Sequence, residues 1–310
     1  MTKIWKVIVN QKAGRGMGLK DWPYISRTMT KAGLKISSVF TEHKYHAVEL
    51  TKKAISEGYR DFIAVGGDGT LHEVLNGIFK HGKVSPSEMT LAVIPVGSGN
   101  DWGRMHNISH EYDEAIQAIA KGNLAIQDVA KVTSFKNGEM FLRYMVNIGG
   151  MGFDANVCHH FDLLKMKGQS AGRLYLKGLL KAFFGYSTRR FNVVSDDIPF
   201  YNGDVFSTSI GIGRYSGGGM IQTPEAIVDD GLLELTVIKK IPKIKVLMNL
   251  GKLYSGKIFS IKEVIHTRAQ KIEIQSWPES RVEVDGEDVG FSPMTVEIIP
   301  QSIRVVAAKK

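Results

Sequence analysis

The sequence predicts an open α/β layer followed by a mainly antiparallel β domain, and three observations support this fold class. A chain of 310 residues has the usual length of about two domains. Over the first 125 residues, short apolar strands alternate with segments of helical periodicity. After about residue 125, strand patterns follow one another with few helices between them. We therefore place the first domain over residues 1–125 and the second over residues 126–299.

Each strand of the first domain is predicted from a short apolar run that ends in a polar or glycine-containing loop. The four runs are Ile4 to Val9, Leu34 to Phe40, Asp61 to Val65 and Leu91 to Pro95. Helices are predicted where apolar residues recur at helical spacing, over Asp21 to Ala32, Ala47 to Ser56 and Leu71 to Phe79. A repeated order of strand, loop and helix is typical of a largely parallel sheet, and ligands bind outside the carboxyl ends of its strands.

The second domain is predicted from many strand patterns and only two helices, near Gly172 to Phe184 and near Ile244 to Leu253. The predicted strands are Ile126 to Val132, Phe141 to Ile148, Arg190 to Val194, Val205 to Gly211, Leu233 to Val237, Lys271 to Gln275, Arg281 to Val284, Thr295 to Ile299 and Ile303 to Ala307. No stretch rich in Pro, Gly or Ser separates the two domains.

Composition restricts the class of protein. The single Cys excludes an intramolecular disulfide framework and a Cys-rich zinc site, which predicts a reducing compartment. No apolar run approaches the roughly 20 residues that cross a bilayer, and the first ten residues lack a signal-peptide core, so we expect a cytoplasmic protein. The net charge of +9 predicts an anionic partner, which could be a nucleotide, a nucleic acid or a membrane surface. No nucleic-acid-reading motif is present, so we expect no nucleic-acid partner.

One glycine loop joins the third strand to a helix in the order Gly66-Gly67-Asp68-Gly69. Glycines let the backbone approach a ligand closely, and a helix N-terminus attracts phosphate. A carboxylate such as Asp68 beside phosphate needs a metal ion between them, or a proton to accept. The alternative is a tight turn in which Asp68 caps the helix.

Two companion loops follow the first and fourth strands, over Asn10 to Gly16 and Val96 to Asp101. Three such loops at one sheet edge favour phosphate binding. None has the Gly-x-x-x-x-Gly-Lys-[Ser/Thr] spacing of P-loop enzymes or the Gly-x-Gly-x-x-Gly spacing of dinucleotide-binding folds.

Several motifs, in their order along nearly the whole chain, resemble those of the diacylglycerol kinase catalytic-domain family, which includes bacterial lipid kinases and the sphingosine and ceramide kinases. The segment Gly66 to Gly77 resembles the nucleotide signature of that family, and Asn10 to Gly14 resembles its Asn-Pro-x-[Ala/Ser]-Gly, with Gln11 in place of Pro. Gly97 to Asp101 resembles the family's Gly-Thr-x-Asn-Asp, with Ser98 in place of Thr, and Asp128 lies in a strand like the family's Val-Asp strand. Asp229 to Gly231 resembles its Asp-Asp-Gly turn, and Asp285 to Glu287 resembles its Asp-Gly-Glu.

The resemblance implies an α/β nucleotide domain like that of NAD kinases and diacylglycerol kinases, followed by a β-sandwich lipid-binding domain. The last strand, about 300–310, can return to the first domain. ATP would be contacted by Asn10, Gln11, Lys12, Ala13, Gly14, Thr41, Gly66, Gly67, Asp68, Gly69, Thr70, Leu71, His72, Ser98 and Asn100.

The resemblance also implies two further roles for carboxylates. A structural Mg²⁺ would be held by the side chain of Asp230 and the carbonyls of Ile227 and Leu232, and Asp101 and Asp128 would join it to the active site through water. Apart from the resemblance, the chemistry of phosphoryl transfer makes Asp68 the best first-sphere or water-mediated ligand for a Mg²⁺ that bridges the β- and γ-phosphates of ATP. A general base would lie in the Asp-Gly-Glu segment, as either Asp285 or Glu287, which remain alternatives.

The lipid would come from an anionic membrane surface, with which the protein would associate peripherally. Between Phe161 and Arg190, seven basic residues face one acid, Asp162, and apolar residues recur at helical spacing. The alternative is an ordinary helix that packs its apolar face on the sandwich. We also expect surface histidines at His106 and His110 and allow for a homodimer.

The predicted function is an ATP- and Mg²⁺-dependent lipid kinase that converts diacylglycerol to phosphatidic acid. A kinase for another lipid, such as a sphingoid base, is one alternative. A non-catalytic lipid- or nucleotide-binding regulator is another. An NAD kinase is disfavoured by the Asp-Asp-Gly and Asp-Gly-Glu motifs.

Overall fold

The computed structural model describes residues 3–97, 99–166 and 183–308, which form two compact units. Unit 1 comprises Met1–Val129, Val228–Asp230 and Ile299–Lys310. Unit 2 comprises Ala130–Ile227 and Gly231–Ile298. Unit 1 therefore gathers three separate stretches of the chain, including a short segment from within the second half.

The strands of the main sheet are numbered in chain order. They are β1 (Ile4–Asn10), β2 (Lys35–Thr41), β3 (Asp61–Gly66), β4 (Thr90–Pro95), β5 (Leu124–Lys136), β6 (Glu139–Met145), β7 (Ile148–Gly152), β8 (Arg189–Ser195), β9 (Ile198–Gly211), β12 (Leu233–Lys239), β13 (Val264–Ala269), β14 (Lys271–Trp277), β15 (Arg281–Val284) and β16 (Glu287–Val306), while β10 (Tyr215–Ser216) and β11 (Met220–Ile221) form a separate pair.

Unit 1 contains the parallel sheet that the sequence predicts, in the order β2-β1-β3-β4. The last part of β16 extends it, because Arg304 and Val305 pair in parallel with Thr90 and Leu91 of β4. The chain predicted as two strands, Thr295 to Ile299 and Ile303 to Ala307, is in fact one strand of 20 residues with parts in both units.

The helices of unit 1 cover the parallel sheet. They are α1 (Ala13–Lys20), α2 (Trp22–Lys31), α3 (His46–Ser56), α4 (Asp68–His81), α5 (Asp101–Met105) and α6 (Tyr112–Lys121). Helix α4 buries the predicted apolar face of Leu71, Val74, Leu75 and Ile78, and it ends at Gly82, whose φ of 73° is left-handed. Helix α1, the short helix α5 and the amphipathic helix α6 are additional to the predicted helices. Helix α1 is interrupted at Gly14, Arg15 and Gly16, whose backbone angles are not helical, so this part of the chain is the predicted loop.

Unit 2 is an antiparallel β structure in the order β13-β12-β9-β7-β15-β16. Strand β14 pairs with both β16 and β8, and β8 pairs with β9, so the path of pairings closes on itself. The predicted strand Phe141 to Ile148 is instead β6 and β7, separated by a turn at Val146 and Asn147.

Among the described residues, the helices of unit 2 include α7 (Phe153–Met166), α8 (Lys243–Met248) and α9 (Leu250–Tyr254). Helix α7 is additional to the predicted elements. The predicted helix Ile244 to Leu253 is two short helices that are separated at Asn249. Most of the predicted helix Gly172 to Phe184 lies outside the described residues, as does most of the basic segment around it.

Within the described ranges, no helix is both long enough and apolar enough to cross a membrane. The prediction for His106 is wrong, because this side chain is buried in unit 1. His106 Nε2 lies 2.8 Å from Gln127 Oε1, to which the Trp102 indole also donates a hydrogen bond. His110 is exposed, as predicted.

Candidate active site

Loops that follow β1, β3 and β4 lie at one edge of unit 1, because these parallel strands end on the same side of the sheet. Two of the loops are in very close backbone contact. Gly97 has a φ of +98°, and a Cβ atom there would lie 3.0 Å from Gly14 Cα. Gly14 has a φ of +57°, and its Cβ would lie 3.2 Å from Gly97 N. Only glycine at both positions permits this approach.

The β1 loop is also joined to the first turn of α4. Asn10 Nδ2 donates to Thr70 Oγ1 over 3.0 Å, and Asn10 Oδ1 accepts from the Lys12 N–H over 3.0 Å. Gly66 is required beside this contact, because a Cβ there would lie 2.3 Å from Thr70 Oγ1. Asn10, Thr70 and Gly66 are three of the predicted nucleotide contacts, and the fold brings them together.

Asp68 connects the β3 loop to the β4 loop. Its carboxylate oxygens accept hydrogen bonds from the backbone N–H of Asp101 at 3.1 Å and of Trp102 at 3.2 Å. These are the first residues of α5, so Asp68 caps α5. Helix α4 begins at Asp68, and its N-cap residue, Gly67, has no side chain to cap it. The arrangement leaves the N-terminus of α4 suited to an anion.

A pocket of about 630 Å³ lies beside the β1 loop. Its lining includes three predicted nucleotide contacts, Gln11, Lys12 and Thr41. Gln11 Nε2 donates to the Thr41 carbonyl over 3.2 Å, which ties the loop to the end of β2. Arg15 also lines the pocket and is absent from the predicted set. The pocket has the size of a small-ligand site, and two cationic side chains and the carboxylate of Glu42 line it.

Three predicted nucleotide contacts direct their side chains into unit 1. Leu71 and His72 are buried on α4, and Asn76 Nδ2 donates to the His72 carbonyl over 2.9 Å. Asn100 is buried too, and its Nδ2 donates to the Ile108 carbonyl over 3.1 Å. Ser98 lies outside the described residues.

The predicted metal ligands have different surroundings. Asp128 is fully buried in unit 1, where its N–H donates to the Val228 carbonyl over 2.7 Å and its Oδ1 accepts from the Gln301 N–H over 2.6 Å. Asp101 is also buried, with its Oδ1 3.6 Å from Arg104 Nε. Asp230 is exposed in a turn before Gly231, whose φ is +75°. With the Ile227 and Leu232 carbonyls, the donors are all oxygen, which fits Mg²⁺.

The two candidates for the general base belong to unit 2. Asp285 has a φ of 50°, and its carboxylate accepts hydrogen bonds from the N–H groups of Val146 at 3.0 Å and Asn147 at 2.9 Å. Its own N–H donates to the Ile148 carbonyl over 2.8 Å. Asp285 therefore holds the turn between β6 and β7. Glu287 begins β16 and is half-buried.

The two halves of the chain match two described families. Residues 4–132 match the diacylglycerol kinase catalytic domain, and residues 147–307 match the YegS C-terminal NAD kinase beta sandwich-like domain. The second match covers just over half of the chain, so the chain belongs to the family of the YegS C-terminal domain, and its first half is a diacylglycerol kinase catalytic domain. With these two domains it is a lipid kinase, and the predicted two-part fold is confirmed.

Individual relatives agree with this assignment. A diacylglycerol kinase from Staphylococcus carnosus is 27% identical over 315 residues, which cover 100% of this chain and 96% of that protein. One from Staphylococcus aureus is 28% identical over 99% of this chain and 93% of its own length.

Two solved structures share the fold. The crystal structure of a diacylglycerol kinase from Bacillus anthracis superposes with a TM-score of 0.70 at 22% identity, covering 99% of this chain and 97% of that one. An NAD kinase from Archaeoglobus fulgidus in complex with ATP superposes with a TM-score of 0.51 at 13% identity, over 99% and 94% of the two chains.

This lipid kinase carries two further carboxylates that the sequence analysis did not identify. Burial raises the pKa of Glu283 well above its ordinary value, and the charges of Asp154, Asp285 and Glu287 raise the pKa further. The hydrogen bond that Glu283 accepts from the Gly286 N–H has the opposite effect and lowers the pKa. Burial also raises the pKa of Asp154, which accepts a hydrogen bond from Gln222 Nε2 over 2.9 Å. The sequence contained a signal for Glu283, because the same spacing of two residues separates Glu283 from Asp285 and Asp285 from Glu287.

A second buried carboxylate group in unit 2 lies on β12. Glu234 is fully buried, and neither of its oxygens accepts a hydrogen bond of standard geometry from the described residues. Burial raises its pKa to about 7, and the charge of Glu225 adds to this effect, while the Glu225 N–H and the guanidinium groups of Arg268 and Arg214 oppose it. His266 also lies in this group. The two arginines balance the two acids, so the group has the charge balance of a structural network.

Proposed function

We propose that this lipid kinase transfers the γ-phosphate of ATP to the free hydroxyl of diacylglycerol, with Mg²⁺, to form phosphatidic acid. The observation that carries the proposal is the close approach of Gly14 and Gly97, which packs two phosphate-type loops against each other beside α4. The names of the staphylococcal relatives support diacylglycerol as the substrate. The ATP complex of the similarly folded NAD kinase supports ATP as the donor.

Unit 1 supplies the nucleotide site. The backbone N–H groups at the uncapped start of α4 are fixed dipoles for phosphate oxygens. Lys12 and Arg15 add positive charge from the pocket beside the β1 loop. Because the loops are already held by Asn10 and Asp68, little reorganisation is needed when the nucleotide binds.

Mg²⁺, when bound, would neutralise charge on the transferring phosphoryl group. Asp68 would hold it through the lone pairs that its two N–H contacts leave on the carboxylate. This geometry suits a ligand role through water, because the Asp68 side chain is already positioned by α5. Asp230 and the Ile227 and Leu232 carbonyls would hold a separate structural ion.

Glu287 is the better candidate for the general base. Asp285 uses both of its oxygens to hold the turn at Val146 and Asn147, so its carboxylate already has a structural role. Glu287 lies two residues further along, at the start of β16, and it would accept the proton of the lipid hydroxyl as the general base.

The test is transfer of label from γ-labelled ATP to lipids in mixed micelles with Mg²⁺. The panel would contain diacylglycerol, monoacylglycerol, ceramide, sphingosine and undecaprenol, with NAD as a water-soluble acceptor. The Glu287→Gln variant would be compared with Glu139→Gln, an exposed acid in the same unit that serves as the matched control.

Label in diacylglycerol that is lost by about 10²–10⁴-fold in Glu287→Gln and kept in Glu139→Gln is the expected result. Label in another lipid would identify that lipid as the substrate and would leave the proposed mechanism unchanged. Label in NAD alone would contradict the proposal. ATP binding without transfer to any acceptor would indicate a regulatory protein.

A further inference from the structure

Helices α8 and α9 present an unusual set of large apolar side chains to solvent. Ile244 is 65% exposed, Met248 is 79% exposed and Tyr254 is 57% exposed. Leu247 and Leu250 are exposed as well. Five exposed apolar residues within 11 positions form a patch rather than scattered single residues, and such patches mark interaction sites. We call these five residues the helix-pair surface.

The packing of unit 2 does not need the helix-pair surface. Val246 of α8 and Leu253 of α9 pack on a buried cluster that includes Phe183, Phe206 and Ile258. Helices α8 and α9 are thus attached to unit 2 through these two side chains, and they expose the five others. A helix with apolar side chains beyond those that it buries normally has a second apolar neighbour.

The chain around the helix-pair surface is strongly basic. Residues 239–262 contain seven lysines and no acid. Lys245 pairs with Glu263 over 2.6 Å and Lys240 pairs with Asp204 over 3.0 Å. Lys252, Lys257 and Lys262 lie on the same segment and add positive charge. An apolar centre flanked by lysines complements a surface that is apolar inside and anionic outside.

The helix-pair surface continues onto the described end of the basic segment that precedes β8. Phe184 is 58% exposed, and its carbonyl accepts a hydrogen bond from Lys243 Nζ of α8. Two distant stretches of sequence therefore contribute exposed apolar and cationic groups to one place.

We propose that the helix-pair surface docks this kinase on an anionic lipid bilayer, with Ile244 and Met248 inserted at the headgroup boundary. Interfacial helices combine apolar residues that enter the boundary with lysines that contact anionic headgroups. Because of these lysines, a basic partner matches the surface poorly, and a second copy of this chain is such a partner. The inference rests on the proposed function only in that a lipid substrate requires the enzyme to reach a bilayer.

The test is co-sedimentation of the full chain with vesicles of phosphatidylcholine containing 30% phosphatidylglycerol, compared with pure phosphatidylcholine. The variant is Ile244→Ser/Met248→Ser. Its control is Met140→Ser/Ile198→Ser, which removes two side chains of matched exposure, 72% and 69%, elsewhere on unit 2. Circular dichroism and thermal unfolding verify that both variants are folded, and all four positions are at the surface.

We expect each replaced side chain to weaken vesicle binding on the order of tenfold in Ile244→Ser/Met248→Ser, and the control to bind as the unchanged chain does. Lys252→Gln/Lys257→Gln should weaken binding to the anionic vesicles on the order of fivefold for each lysine removed, and added salt should reproduce the effect. Equal binding by the variant and the control would overturn the proposal.

Two further measurements separate this proposal from its alternatives. Sedimentation velocity without lipid would overturn it if the unchanged chain is a dimer and Ile244→Ser/Met248→Ser is a monomer, because a second copy would then cover the surface. Vesicle binding requires no turnover, so it is measured even if no lipid is phosphorylated. A failure of the proposed reaction and a failure of docking are therefore distinct results.

Discussion

The carboxylate of Asp68 accepts a hydrogen bond from the backbone N–H of Trp102 over 3.2 Å, and so caps a helix that begins 33 residues after Asp68 in the chain. Its other oxygen accepts from the N–H of Asp101 over 3.1 Å. One side chain thus holds two loops of the nucleotide site, in addition to the metal-ligand role proposed for it.

Replacing Asp68 should therefore have two effects. Asp68→Ala removes both acceptors from the start of α5 and should lower the free energy of unfolding by about 1–2 kcal/mol. Asp68→Asn keeps one oxygen acceptor and should lose less stability, yet both variants should lose phosphoryl transfer. Urea unfolding and transfer assays measure the two effects separately. Equal stability of Asp68→Ala and the unchanged chain would contradict the capping role.

Variants of Asp285 and Glu287 should likewise separate an effect on stability from an effect on catalysis. Asp285→Ala leaves the N–H groups of Val146 and Asn147 without their acceptor and should cost about 1–3 kcal/mol of stability. Glu287→Gln should leave the melting temperature nearly unchanged and lower kcat. Thermal unfolding beside initial rates makes the comparison. Loss of stability confined to Glu287→Gln would reverse the two roles.

Gly97 should be intolerant of a side chain. Gly97→Ala combines a left-handed φ of +98° with a Cβ only 3.0 Å from Gly14 Cα, so the two loops must separate. Gly58→Ala is the matched control, because Gly58 has a φ of +97° and nothing within 4 Å of the added Cβ. Both should lose about 1 kcal/mol from backbone strain. Only Gly97→Ala should also weaken ATP binding, measured by calorimetry.

Glu234 should make the fold less stable as pH rises. Its pKa is raised from 4.5 to about 7 in the folded chain, so the folded state holds more protons than the unfolded state between those values. The stability that this group contributes is therefore lost as pH increases through this window. Glu234→Gln should remove that dependence and be more stable at pH 8 by on the order of 2 kcal/mol. Urea unfolding from pH 4.5 to 8, with the exposed Glu139→Gln as control, tests this.

His106 should make the fold less stable as pH falls, which is the opposite of the effect of Glu234. Burial lowers its pKa from 6.5 to about 4, and the hydrogen bond with Gln127 only partly opposes this. The unfolded state binds the proton first, so stability is lost as pH falls from 6.5 towards 4. The full effect is on the order of 3 kcal/mol. Acid unfolding of His106→Gln should lack this phase, whereas the exposed His110→Gln should retain it.

Periodicity and loop composition were sufficient to predict the parallel strands, helices α2 to α4 and the two-part fold. The apolar spacing of Leu71, Val74 and Leu75 has one clear helical solution, and each strand of unit 1 is a buried apolar run. Helix α5 was beyond this reasoning because it has only five residues and its start is held by a side chain from α4. Such a helix has no periodic signal of its own.

The chemical environments of individual side chains were also beyond prediction. Nothing near His106 in sequence indicates that Gln127 will meet it in a buried position. Motif spacing similarly left Asp285 and Glu287 equivalent, and only the turn at Val146 distinguishes them. Pairing partners that lie far apart in sequence determine these roles, and topology brings them together.

Strand β16 has a consequence for biosynthesis. Its last residues complete the sheet of unit 1 beside β4, yet they are translated only after all of unit 2. While the ribosome makes unit 2, nascent unit 1 has an open edge at β4 and lacks the Gln301 N–H that binds the carboxylate of Asp128. An exposed edge strand is a site of aggregation. A ribosome that stalls before residue 299 thus releases a chain that is prone to aggregate and is a natural client for chaperones.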